Sequence, residues 1–341
     1  QTQGVYVRFG STNRIADAEM LKALQLYADK TSFDEIPCVR AKVNTLDWDF
    51  IVDSFKSIGK RITEAKAENL GVLSIRAGDR CPSFGGVILF GLHRLRVFPD
   101  AIIRCVRFKG INKAAVLDHK EISSYPVLAI DEAIQFVEKN TITGVKFGRI
   151  RRTDVTQYPV AAIREAIINA VMHTDYAATG ACMQIAIFDD RIEISNPGGL
   201  PIGMTMERAL GGSSRVRNRV IAKVFRELQM SEQWGSGLQR IIDSCMQVGL
   251  ARPIFEDLNT EFKVTLFAAK IRKGVVNKAD ATFIAYVKTK EKISTKQAAV
   301  FWGIAPRNAR ERLKKLVEVG ILKKVGTSAK DPLSGYVLAH R

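Results

Sequence analysis

The sequence predicts an α+β fold: one sheet covered by helices on one face, followed by a small basic block of three helices and a hairpin. Three observations carry this. Between residues 101 and 267, segments with apolar residues at helical spacing are mixed with segments that alternate with period two, which is the pattern of a sheet with helices laid on it. The charge is uneven: residues 271–341 hold 16 Lys and Arg against 5 Asp and Glu, or +11 of the total +17, leaving +6 for the first 270 residues. After residue 290, helix-capping residues and glycines recur at spacings suited to short helices.

Taken in order, "GVYVRFGSTNR" reads as a strand and polar turn, and "ADAEMLKALQLYADK" as an amphipathic helix, so residues 1–36 form one piece. Residues 37–125 form a mixed connecting part. "SFDEIPC" is a connector, and 47–68 are mainly helical. The apolar run "GVILFGL", 86–92, is expected to be a buried strand, and "AIIRCVRFKG", 101–110, a second strand. Residues 126–270 form the core domain. A helix over 130–140 precedes a helix over 159–174. "CMQIAIFDDRIEISNPGGLP" gives two strands about an acidic turn at Asp189–Asp190. "RNRVIAKVFRELQM" is helical, "GSGLQRIIDSCMQVGL" is a Gly-led helix, and "EFKVTLF" is a last strand. "KIRKGVVNK" is a basic linker to the block 275–341.

Some function classes are excluded early. Five scattered cysteines with no C-x-x-C pairing give neither a disulfide framework nor a zinc knuckle, and reduced thiols in a cytoplasm are the expectation. Four histidines without H-E-x-x-H spacing give no metal motif. No apolar run is long enough for a bilayer and no signal peptide is present, so no membrane partner is expected. The first residue is Gln, so the chain is expected to begin partway into a longer protein.

The basic block reads helix, helix, helix, hairpin. Ser294 and Gln297 form a capping box, Pro306 sits in a first turn, and Gly320 follows the last turn. On 306–319 the apolar stripe is Ala309, Leu313, Leu316 and Val317, and Arg307, Arg310, Lys314 and Lys315 lie opposite. The hairpin loop carries Lys330. The block resembles a winged helix-turn-helix of bacterial transcriptional regulators, which implies duplex DNA as partner through those five basic residues. A winged helix used for protein contacts is the alternative.

"REAIINAVMHTDY", 164–176, is the most informative stretch. Ala166, Ile167, Ala170 and Val171 make an apolar face, while Glu165, Asn169 and His173 stack in one polar stripe at four-residue steps. The stripe is either a solvated helix face or the wall of a site.

Four pieces in order, "YPVAAIREAIINAVMHTDY", "DDRIEISNPGGLP", "RNRVIAKVFRELQM" and "WGSGLQRI", resemble the C-terminal region of proteins named as ATP-dependent DNA helicases related to RecG. That region is a divergent relative of the GHKL, or Bergerat-type, ATPase fold. "VYVRFGSTNR" is similar to the last strand of the Schlafen AlbA-type domain usual upstream in that family, so 1–36 would be its C-terminal remnant. The resemblance implies ATP and magnesium. Glu165 would be the general base on water and Asn169 the magnesium ligand, with His173 and Asp175 continuing that end of the site. Asn196, Gly198 and Gly199 would form the turn over the adenine. Gly235 and Gly237 would open a helix whose free N–H groups hold phosphate.

The sequence departs from the family where an Asp usually accepts from the adenine amine: Ser195 and Asn196 stand there. The segment between the two glycine turns is also short for an ATP lid. A fold that has kept its shape without its nucleotide therefore stays open. In that case Glu165 would pair with Arg215 or Arg217, and Asn169 and His173 would bond the loop "SNPGG". A P-loop helicase motor is not expected, because no G-x-x-x-x-G-K-S/T occurs; "SIGKRIT" lacks the spacing. The leading reading is a DNA-binding regulator with a ligand-sensing or dimerising core, hence a homodimer or higher homo-oligomer. An ATP-driven DNA-remodelling enzyme and a protein-binding scaffold are the alternatives.

Overall fold

The computed structural model describes residues 4–9, 12–141, 143–147, 152–231, 237–268, 282–284, 286–287, 289–290, 292–318, 322–325 and 335–338. The chain divides into two compact units, 1–269 and 270–341. Among the described residues no helix is long and apolar enough to cross a membrane.

The first unit begins with the hairpin β1 (Tyr6–Phe9) and β2 (Thr12–Ile15) and the helix Ala18–Ala28. A second hairpin joins β3 (Leu73–Arg76) and β4 (Asp79–Pro82). The central sheet takes β5 (Ile103–Phe108), β6 (Val116–Ile122), β9 (Met183–Ile187), β10 (Arg191–Pro197), β11 (Ile254–Asp257) and β12 (Glu261–Phe267). A small hairpin of β7 (Thr143–Phe147) and β8 (Arg152–Thr156) lies outside it. Sheet order is β11-β12-β10-β9-β5-β6. All neighbours are antiparallel except β5 and β9, which pair in parallel from Ile103↔Met183 to Arg107↔Ile187. A parallel pair needs a long crossover. Here the helices Pro126–Asn140 and Val160–His173 lie in it. The sheet is thus mixed rather than purely antiparallel, and the range 37–125 contributes two of its six strands.

Alternation sets the two faces of the sheet. Ile185, Ile187, Ile192, Ile194, Val264 and Leu266 are buried, while Gln184, Glu193 and Lys263 point the other way. On that polar face Arg191 pairs with Glu193 at 2.6 Å and Lys263 with Glu256 at 2.8 Å.

The run "GVILFGL" is corrected: Phe84–Phe90 is a helix, not a strand. Periodicity cannot separate the two in so short an apolar run. The deciding signals are local. The Ser83 hydroxyl accepts from the Gly86 N–H at 2.9 Å, an N-cap, and the chain leaves the helix at Gly91. Gly85 through Phe90 are all buried. A methyl group at Gly86 would overlap the Val72 carbonyl oxygen, and one at Gly85 would meet Val220.

The helix Arg219–Glu227 packs on this buried helix and is held at its start from two sides. Asn218 donates to the carbonyls of Met172 (2.9 Å) and Thr174 (2.8 Å), tying it to the end of the helix Val160–His173. The fully buried Asp34 carboxylate accepts from the Ile221 N–H at 3.0 Å and from the Ser32 hydroxyl at 2.6 Å. Burial pushes the Asp34 carboxyl up to about 6, against the lowering effect of those hydrogen bonds.

The second unit contains the helices Thr295–Trp302 and Pro306–Glu318 and the hairpin β13 (Leu322–Val325) and β14 (Gly335–Leu338). The capping box forms, with Gln297 N–H to Ser294 Oγ at 3.3 Å and Ser294 N–H to Gln297 Oε1 at 2.8 Å. Gly303 ends the first helix in a left-handed conformation, φ +64°. Phe283, Ile293, Ala298, Leu313, Leu322 and Tyr336 belong to its own core. Gly320 and Lys330 lie outside the described residues, as does the Lys315 side chain.

Candidate functional site

The polar stripe of the helix Val160–His173 is the wall of a cavity. The helix buries Ala162, Ile163, Ala166, Ile167 and Ala170. Glu165, Asn169 and His173, one turn apart, line a cavity of about 150 Å³. Cavities of that size take a single six-membered ring in other proteins. Strand β10 contributes Ile194 and Asn196, and β12 contributes Phe262 and Val264. The segment 199–216 contributes Gly199, Leu200, Pro201, Met204 and Arg215, and the helix Gly237–Gln247 contributes Gly237, Leu238, Arg240 and Ile241. Arg226 also lines it. The inner surface is largely apolar and three arginines stand in its wall, a composition suited to an anion with a flat apolar part.

Glu165 is engaged. Its Oε2 lies 3.1 Å from Arg240 Nη2, and its Oε1 accepts from Asn169 Nδ2 at 3.1 Å. The expected arginine partners are corrected. Arg217 instead reaches Asp175 (3.4 Å) and the Gly199 carbonyl (2.6 Å), and Arg215 donates to the Ile202 carbonyl and stacks over Tyr27. The alternative that Asn169 bonds the loop "SNPGG" is likewise replaced, because its amide goes to Glu165. That leaves the Asn169 carbonyl oxygen with no donor among the described residues.

Asn196 is buried and its amide donates to backbone: Pro197 at 3.0 Å, and His173 and Gly198 each at 3.4 Å. Its donors are spent on holding the turn, so its carbonyl oxygen is the atom it can offer to a ligand amine.

Asp175 and Gly198 do not line the cavity. Asp175 donates its N–H to Pro197 O at 2.8 Å and pairs with Arg217. Gly198 has φ +85°, and a methyl there would come within 2.8 Å of Asp175 Cβ. Gly199 lines the cavity, and a methyl group on it would overlap Asp257 Oδ1. Gly237 is required by Glu165: a methyl there would sit 2.5 Å from Oε1. Gly235 lies outside the described residues.

Burial, with help from the Arg217 charge, pushes His173 down to about 4. Its folded value lies below its unfolded one. The neutral ring therefore contributes stability that is fully present above about 6.5 and lost as pH falls through about 4. Asp34 acts with the opposite sign, contributing below about 4 and losing its contribution as pH rises through about 6. An NMR titration should find the His173 ring neutral at pH 5.5, with a midpoint near 4. A midpoint near 6.5 would show that it faces open water.

Arg240 and Arg226 were not expected at the site, and Arg215 was expected only as a partner of Glu165. Arg240 had a readable signal, because it falls three residues after Gly237 on a helix and so shares its face.

Fold and cleft together define the class: a mixed sheet with a cavity between a helix carrying Glu165 and Asn169 and the strands β10 and β12. Residues 180–266, about a quarter of the chain, match the family model described as "Putative ATP-dependent DNA helicase recG C-terminal", and the matched region implies a GHKL-like domain. The match includes Asn196, Gly199, Gly237 and Arg240, and begins after Glu165 and Asn169. The crystal structure of the DIP2311 protein from Corynebacterium diphtheriae is similar in fold, with a TM-score of 0.58 and 18% identity, covering 98% of this chain and 70% of that one. No curated protein matches the sequence.

Proposed function

We propose that the chain is a DNA-binding regulator whose GHKL-like core takes an adenine nucleotide. The observation that carries the DNA part is the helix Pro306–Glu318. Ala309, Leu313 and Leu316 are buried in the core of its own unit, while Arg307, Arg310 and Lys314 are exposed. We read this unit as a winged helix, with that helix offered to the major groove and the β13–β14 hairpin as the wing. Phosphate contacts would then give affinity, and homo-oligomers would present two such units to one duplex. The test is titration of a mixed-sequence duplex with the full chain at several salt concentrations. Affinity should fall steeply with salt, because bound cations are released from the duplex. Binding that ignores salt would remove the reading.

In the core, the apolar interior would hold the base, with the Asn196 carbonyl oxygen accepting from its amine. Arg215, Arg226 and Arg240 would face the phosphates. Among the described residues no three His, Cys, Asp or Glu cluster to hold a metal. Magnesium would therefore be held by Asn169 and the nucleotide's own phosphates, and would neutralise charge there. Glu165 is the residue placed to take a proton from water. Without nucleotide both its oxygens are engaged, by Arg240 and Asn169, so Glu165 must first be released to act as a base, and we read the site as serving binding more than hydrolysis. The remodelling-enzyme reading keeps one observation in its favour, the Glu165–Asn169 adjacency inside the cavity.

A further inference from the structure

A carboxylate of the chain itself sits at the helix start where the family resemblance implies a bound phosphate. Glu165 lies beside Gly237, at the opening of the helix Gly237–Gln247, and pairs with Arg240 at 3.1 Å. The Glu165 side chain is 17% exposed and that of Arg240 35% exposed. The pair is therefore partly dry, yet the guanidinium remains open to the cavity that both residues line. A guanidinium fork fits a phosphate as well as it fits a carboxylate. A carboxylate and a phosphate on one guanidinium repel each other, so a bound phosphate weakens the pair with Glu165.

We propose that Glu165 is an internal competitor for Arg240, displaced when the anionic tail of a nucleotide takes the guanidinium. This rests on the nucleotide reading of the cavity. The pair has two consequences. It neutralises part of a partly buried charge at Arg240 and helps to hold that side chain at the cavity wall. It also lowers affinity for the anion, because the ion pair must be given up on binding. Asn169 stays in contact with the Oε1 side of the same carboxylate, so release of Arg240 alters what Asn169 faces as well.

The test uses the full chain with magnesium, and ADP and adenosine as probes, read by calorimetric titration. Glu165→Gln keeps the shape and removes the competing charge. It should bind ADP on the order of tenfold more tightly, the scale of one charge-assisted hydrogen bond, and adenosine unchanged. Arg240→Gln should bind ADP on the order of tenfold more weakly while adenosine changes little. Wild-type binding of ADP with no tightening in Glu165→Gln would overturn the competitor and leave the nucleotide reading standing. So would an Arg240→Gln that binds ADP as well as wild type. Failure of every form to bind either probe would overturn both.

Discussion

Replacing Arg307, Arg310 and Lys314 together by Ala should lower affinity for mixed-sequence duplex DNA on the order of a hundredfold at 0.1 M salt. Each neutralised phosphate contributes about −0.9 to the slope of log affinity against log salt, so three lost contacts should flatten that slope by about 2.7. The three side chains are exposed on a helix whose buried face is made by other residues, so the fold of the unit should survive. Circular dichroism should show unchanged helix content. Removing the whole unit, by ending the chain at residue 269, should abolish binding. A triple variant with the wild-type slope would place the DNA contact elsewhere.

The second large effect is on stability. Gly86→Ala should lower the melting temperature by several degrees. In an exposed helix Ala would gain about 1 kcal/mol over Gly. At residue 86 the added methyl overlaps the Val72 carbonyl oxygen, and backbone cannot swing away as a side-chain tip can. Overpacking of a full core costs about 1–3 kcal/mol, sometimes more, so the net change should be destabilising. In a unit of this size each kcal/mol is worth roughly 2–4 °C. The helix Phe84–Phe90 packs against Arg219–Glu227, which contributes Ala222 and Arg226 to the cavity, so the same variant should weaken ligand binding. A raised melting temperature would mean that the helix is not seated as described.

What was legible in the sequence was the local pattern. The helix Val160–His173 shows a full apolar face, the acidic turn at Asp189–Asp190 marks β9 and β10, and Ser294 with Gln297 announces a helix start. Each signal spans about a turn or a strand, where spacing decides. The helix Phe84–Phe90 is not legible in the sequence because its six buried residues and Phe84 show no polar side to reveal a period. The parallel pairing of β5 with β9 was not legible, since pairing across 80 residues leaves no mark on either strand.

The site divides in the same way. The Glu165, Asn169 and His173 stripe is local and was visible. The Arg240 pair spans 75 positions and depends on how two helices dock, so sequence suggested Arg215 or Arg217 instead. Asp175 and Gly198 are ordered as expected along the chain, yet they hold the 198–199 turn from outside the cavity. The glycines at 198, 199 and 237 are each explained by a neighbour they would strike: Asp175, Asp257 and Glu165.

That this cavity is a nucleotide site is tested most directly by calorimetric titration of the full chain with ATP and magnesium, beside Asn169→Ala under the same conditions. One-to-one saturable binding is expected, magnesium-dependent in the wild type and with that dependence lost in Asn169→Ala. No binding heat with ATP at millimolar concentration, or binding whose magnesium dependence is untouched by Asn169→Ala, would contradict it.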